Sequence, residues 1–176
     1  TTGATESAGS CDSTAPDVWY RFTLTRREIV YINTYGSALD TQIGLVTSGA
    51  CGGAVSCNAD ACGTMQSEIV QNLAAGTYFI LVDGTGAVSG DFVLNIEHLP
   101  VGSDLAATPV VAGTTSFTGS TTGGTNIVTP SCGGSTSGPE DLYYWTQCPS
   151  ALGGAFMAHT CNAASDYDTV LHLRSG

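Results

Sequence analysis

The second part of this 176-residue chain begins to repeat the first. Asp17-Val-Trp-Tyr-Arg-Phe-Thr-Leu24 returns as Asp141-Leu-Tyr-Tyr-Trp-Thr-Gln-Cys148. Asp40-Thr-Gln-Ile-Gly-Leu-Val-Thr-Ser-Gly49 returns, slightly shortened, as Asp168-Thr-Val-Leu-His-Leu-Arg-Ser-Gly176. Upstream, Thr1-Thr-Gly-Ala and Cys11 match Thr121-Thr-Gly-Gly and Cys132. The register is about 120 residues, and copy two has no counterpart of the roughly 50 residues that follow Gly49 in copy one. The expectation is one and a half units of a tandem array. Arrays bury apolar surface between neighbours and usually serve as scaffolds or binding surfaces rather than enzymes.

Composition narrows the partners. Charged residues make up only 11% of the chain, and the formal net charge is −11. The four cations are Arg21, Arg26, Arg27 and Arg174, and there is no lysine. Neutralising nucleic-acid phosphates needs clustered cations, so nucleic acid is excluded as a partner. An anionic membrane surface would repel this chain, and no run of about 18 apolar residues exists to insert into one. The polar surface has to come from Gly, Ser, Thr and Asn. That suits β-sheet with tight turns and disfavours long exposed helices.

Seven cysteines in a Gly/Thr-rich chain without a metal or redox motif imply disulfides and an oxidising, extracellular setting. The repeat suggests the pairing. Cys148 aligns with Leu24 and Cys161 with Thr34, so Cys148–Cys161 is expected to be private to copy two, bridging consecutive strands of a hairpin. Cys51 and Cys57 flank a short loop and are expected to close it, which leaves Cys11 with Cys62. Cys132, the counterpart of Cys11, is then odd, as a truncated second copy would require. The opening residues do not form a secretory leader, so the numbering is expected to start within or after a processed precursor.

Short β-rich runs punctuated by glycine fill copy one: 18–24, 28–33, 41–46, 68–73, 77–83 and 91–97. Thr77-Tyr-Phe-Ile-Leu-Val-Asp83 is apolar on both faces and reads as a central strand. Residues 83–90 read as a hairpin loop, and one helical turn fits 62–66. His98 to Ser103 carries Pro100 and Gly102 and marks the boundary. The expected organisation is a first domain over 1–98, a linker at 99–103 and the first half of a second domain over 104–176. Strands are expected there at 114–119, 141–147, 154–160 and 169–174.

Cys51…Cys57-Asn-Ala-Asp60, then Leu73-Ala-Ala-Gly-Thr-Tyr-Phe-Ile-Leu-Val-Asp-Gly84, then Gly90-Asp-Phe-Val-Leu-Asn-Ile96 form a succession that resembles the bacterial pre-peptidase C-terminal (PPC-like) domain. The resemblance covers residues 11–97 well and 114–176 in part. It implies an all-β fold of tandem jelly-roll-like sandwiches, secretion by a bacterium, and non-catalytic accessory, adhesive or structural work. Such modules commonly carry acidic residues at the loop matching Asn58-Ala-Asp60, where Ala59 replaces one here.

Hard cations need several oxygens converging from loops. Asp40, Asn58, Asp60 and Asp83 are therefore the candidate calcium ligands. The alternative makes Asp40 and its counterpart Asp168 turn-formers whose carboxylates accept backbone N–H bonds. Trp19, Tyr20, Tyr143, Tyr144 and Trp145 could stack on a glycan, with core packing as the alternative. No nucleophile–base or metalloprotease pattern surrounds His98, His159 or His172, so no catalysis is expected. The reading is an extracellular structural or adhesive repeat protein, a segment of a larger surface protein or a filament subunit. The half-domain would be completed by self-association or by continuing chain. The alternative is an accessory module that targets a secreted hydrolase to a polymer.

Overall fold

The computed structural model describes residues 15–47, 54–101, 106–110, 116–126, 137–149 and 155–173. The chain divides into two compact units, Thr1–Ala106 and Ala107–Gly176. Every regular element among the described residues is a β-strand.

Seven strands build the first unit: β1 (Val18–Leu24), β2 (Glu28–Asn33), β3 (Thr41–Val46), β4 (Ala54–Asn58), β5 (Glu68–Leu73), β6 (Gly76–Gly84) and β7 (Asn95–Pro100). They form two antiparallel sheets of order β1-β6-β3-β4 and β5-β2-β7. Alternation selects the inward faces. Val30 and Ile32 from β2, Ile43 and Leu45 from β3, Ile69 and Leu73 from β5, and Tyr78, Ile80 and Val82 from β6 form one buried cluster. Phe22, Phe92 and Leu94 pack against it. Two sheets sharing one apolar layer make a β-sandwich. β6 is apolar on both faces because it lies between β1 and β3.

Chain reversals cross between sheets. β1 pairs with β6 and β2 with β5 and β7, so the expected β1–β2 hairpin is instead an arch over the edge of the sandwich. The 83–90 segment is likewise a crossover rather than a hairpin loop, because β6 and β7 belong to different sheets. Gly84 ends β6 where a Cβ would overlap the Val88 carbonyl oxygen, so the loop folds directly over it. The last expected strand begins later, at Asn95. Ser37 Oγ accepts the Val93 N–H at 2.9 Å and donates to Val93 O at 3.3 Å, replacing ladder bonds at that position. At its other end β7 runs through Leu99 and Pro100, opposite Ile29 and Glu28. The expected linker therefore starts as strand, and the units divide after Ala106. Instead of a helical turn, Ala61–Thr64 forms a reverse turn. Thr64 N–H donates to Ala61 O at 2.9 Å, with Cys62 and Gly63 both at positive φ. β4 falls partly in the segment read as a disulfide-closed loop.

The second unit contains β8 (Ala107–Pro109) and β9 (Leu142–Tyr144), paired in parallel. Phe117 packs against Tyr143 and Trp145 stacks on Phe156. The described parts of the other expected strands, 116–119, 155–160 and 169–173, carry no ladder. In the first unit the matching β2 and β3 pair with β4, β5, β6 and β7.

Truncating Ile43, which has no exposure, should cost about 2–5 kcal/mol through lost transfer energy and a residual cavity. Met65→Ala, at a residue 55% exposed, should stay within about 0.5 kcal/mol of the parent. Urea unfolding midpoints of the two variants check the difference.

Candidate functional site

Two regions of the first unit combine polar or aromatic side chains with partial access. One is the end of the sandwich where the loops before β3 and β5 meet the end of β6. Thr34, Thr41 and Ser67 are all fully buried there. Thr34 Oγ1 and Thr41 Oγ1 are hydrogen-bonded at 2.6 Å, and Ser67 N–H donates to Thr34 Oγ1 at 2.8 Å. The Ser67 hydroxyl reaches Thr41 O at 2.6 Å and Ala59 O at 3.0 Å. Buried backbone groups of three loops are thus satisfied by three short side chains.

The candidate calcium ligands surround this end, and each of the three with partners below has a carbonyl or carboxylate oxygen in use. Asp40 Oδ1 accepts the Thr85 hydroxyl at 2.8 Å, and Asp40 O accepts Thr85 N–H at 3.0 Å. Asn58 Oδ1 accepts the Glu68 N–H at 2.9 Å. Asp83, fully buried, accepts the Gly84 N–H on Oδ1 at 2.7 Å. Asp60 is exposed. Among the described residues, no group of three or more His, Cys, Asp or Glu side chains is gathered to hold a metal ion. Asp40 ties the loop before β3 to the end of β6 through the Thr85 hydroxyl, not through the backbone N–H expected of a turn-former, and Asn58 ties the end of β4 to the start of β5, whereas Asp83 accepts the amide of its own neighbour.

The second region is the β1/β7 side. Tyr20 lies opposite Ile80 and Ile96 opposite Ile32, so both side chains point inward, yet each is 39% exposed. With Asp91, Phe92 and Leu94 they line an open groove. Tyr20 meets Phe92 edge to face, with ring centroids 6.3 Å apart. Of the aromatics considered for a glycan, Tyr20 therefore lies in a groove, and Tyr143 and Trp145 are exposed in the second unit.

Cys57, Cys62 and Cys148 are disulfide-bonded. Cys161 is a free, exposed thiol, which corrects the expected Cys148–Cys161 bridge. That bridge assumed that the strands matching β1 and β2 form a hairpin. In the first unit those strands lie in different sheets. Cys11 and Cys51, assigned to Cys62 and Cys57, lie outside the described residues, as does Cys132. Of the histidines, His98 belongs to β7 rather than to a linker and contacts the buried carboxylate of Glu28, which also receives Arg26 Nε at 3.3 Å. His159 and His172 are exposed.

Sequence reasoning missed the Thr34–Thr41–Ser67 cluster and a tyrosine pair on the outer face of the β2 sheet. Tyr31 and Tyr35 hydroxyls both donate to Glu68 Oε2, at 2.8 and 3.0 Å. The only signal available was two tyrosines four residues apart, one in a strand and one just past its end. Burial, then the hydrogen bond to Glu68, pushes the Tyr35 hydroxyl up to about 12 and raises Tyr31 further. No protein-family model, curated protein or solved structure matches the chain.

The tyrosine pair sets an alkaline prediction. Both hydroxyls have folded pKa values raised above the unfolded value of 10.0. Their contribution is complete below that value and is lost as pH rises through the folded values, because the unfolded chain ionises first. Stability should therefore fall between pH 10 and about 12. Glu68→Gln should flatten that fall, since the carboxylate is one cause of both shifts. Denaturant midpoints across this range for parent and variant provide the test.

Proposed function

We propose that this chain is a non-catalytic extracellular scaffold built from PPC-like β-sandwich repeats, working as part of a surface structure or filament. The observation that carries the reading is the apolar surface of the second unit. Phe156, Val170, Leu171 and Leu173 are 44%, 50%, 56% and 73% exposed. Phe156 and Leu173 belong to runs that correspond to core-forming strands of the first unit. An apolar set of that kind is covered in a working protein. The covering polypeptide is either a neighbouring copy or further chain, and in both cases the unit functions inside an assembly.

Disulfides at Cys57, Cys62 and Cys148 support an oxidising, extracellular setting. The surface of few charges and many Ser and Thr residues fits a chain that lives among carbohydrate and protein polymers. A second reading has one observation in its favour. The accessible Tyr20 and Phe92 beside Asp91 would let the first sandwich serve as a polymer-targeting module of a secreted hydrolase, with the sugar ring on the aromatic faces.

Light scattering over a concentration series of the full chain tests the scaffold reading. Mass should rise with concentration, and negative-stain images should show elongated assemblies. A monomer at every concentration, with both units melting in one cooperative step, would overturn self-assembly. Retention on insoluble polysaccharide by that monomer would favour the targeting reading.

A further inference from the structure

The outer faces of the two sheets in the first unit carry unbalanced charge of opposite sign. On the β5-β2-β7 sheet, Tyr31 lies opposite Val70 on one side and Glu97 on the other, and Glu68 stands one outward row further along β5. The Tyr31 and Tyr35 hydroxyls both donate to Glu68 Oε2, which fixes both rings. Among the described residues no donor reaches Glu68 Oε1, and the exposed Glu97 side chain makes neither a hydrogen bond nor an ion pair. Burial, then Glu68, then Tyr35 and Glu97, raise the Tyr31 hydroxyl, so both carboxylates act on one ring. No cation among the described residues balances them. Arg26 contacts Glu28, and Arg27 donates to Asn72 Oδ1 at 2.9 Å near the other end of the face.

The remaining described arginine is Arg21. β1 turns Tyr20 inward in the row of buried Ile80, so Arg21, opposite Phe79, points out from the four-stranded sheet. It is exposed, and its guanidinium has no protein partner among the described residues. One sandwich therefore offers an unpaired cation on one outer face and an aromatic ring between two carboxylates on the opposite face.

We infer that Tyr31, Glu68 and Glu97 form a guanidinium-binding site, and that its occupant is Arg21 of a second copy. The inference rests on the scaffold reading and names a joint made by the first unit. A guanidinium is planar, so it stacks on a tyrosine ring while its N–H groups reach carboxylates at the ring's margin. Phe79 beside Arg21 and Val70 beside Tyr31, both partly exposed, supply apolar contact around the charges. The receiving rings are already held by Glu68, so they lose little freedom when the site fills. Copies that each carry −11 repel at long range, and the local pattern of opposite charges sets which faces meet. Because the two halves of the contact lie on opposite faces of one sandwich, the contact is head-to-tail. Each copy gives one arginine and receives one, and the ends of every assembly stay open, which is the condition for growth as a fibre.

Sedimentation velocity on the full chain, with charge exchanges at the two exposed positions, provides the test. Arg21→Glu and Glu97→Arg should each weaken self-association about tenfold, the worth of a stacked and ion-paired guanidinium. Glu97→Arg is the deciding variant. It lowers the net negative charge, so diffuse repulsion alone would make it associate more strongly than the parent. The double variant Arg21→Glu/Glu97→Arg returns to the parent's net charge with opposite charges facing across the joint. It should associate more tightly than either single variant, a recovery that a misfolded chain could not give. Glu97→Arg that associates as well as the parent or better, or a double variant no tighter than the single ones, overturns the joint. If the parent still assembles in that case, the scaffold reading stands and the contact lies elsewhere. A parent chain that stays monomeric at every concentration removes the second copy as occupant and self-assembly with it.

Discussion

Everything in the first unit depends on two sheets burying one face against each other. Ile32, Ile43, Leu45, Ile80 and Val82 have no exposure, and they come from strands of both sheets. In a strand the side-chain period is two residues, so a slip of one would turn each of these out to solvent. That requirement fixes the register of β2, β3 and β6 and, through them, the direction of every loop. The crossovers follow from it. With β1 and β2 in different sheets, the 25–27 reversal has to arch over the sandwich edge. The Asp83–Gly90 segment has to do the same to join β6 to β7.

Arches expose the ends of the core to unsatisfied backbone groups, and short hydroxyl side chains close them. Thr34, Thr41 and Ser67 are buried without charge and satisfy carbonyl and amide groups from three loops. The acidic residues nearby serve the same end. Asp83 accepts the amide of the next residue, and Asp40 holds Thr85 across the loop. Burial of an unpaired polar group would cost about 1–3 kcal/mol each, so these bonds decide whether the arches close. Thr160 Oγ1 and Thr169 Oγ1 are likewise hydrogen-bonded at 2.6 Å in the second unit, close to the positions that match Thr34 and Thr41.

Alternation made five of the seven strands of the first unit legible, because β2, β3, β5 and β6 bury a full face and β1 nearly does. It failed where another interaction replaced the ladder. Asp91–Leu94 alternates like a strand, but Ser37 supplies the partners of Val93. β4 carries Ser56, Cys57 and Asn58, too polar to stand out from a loop. Sheet membership was not legible at all: a short gap such as Thr25-Arg26-Arg27 serves a hairpin or an arch equally well, and the choice is made by long-range packing. The disulfide bookkeeping failed for that same reason at Cys148 and Cys161. For the candidate site, residue type marked Asp40, Asn58 and Asp83 as loop oxygens. Only geometry shows which protein donors reach them, because a carboxylate that accepts an N–H, a hydroxyl or a cation looks the same in sequence.

The chain's charge bears on how open edges are tolerated. Natural sheets often guard an edge with lysine, and this chain has none. What separates copies instead is the net charge of −11, a diffuse repulsion rather than a local block. Diffuse repulsion is screened over roughly 8 Å at physiological ionic strength, whereas strand pairing acts at hydrogen-bond range and is nearly indifferent to salt. The two effects therefore respond differently to the medium. In dilute salt the copies repel before their edges meet. At physiological ionic strength the repulsion is screened, and short-range contacts decide whether two copies meet.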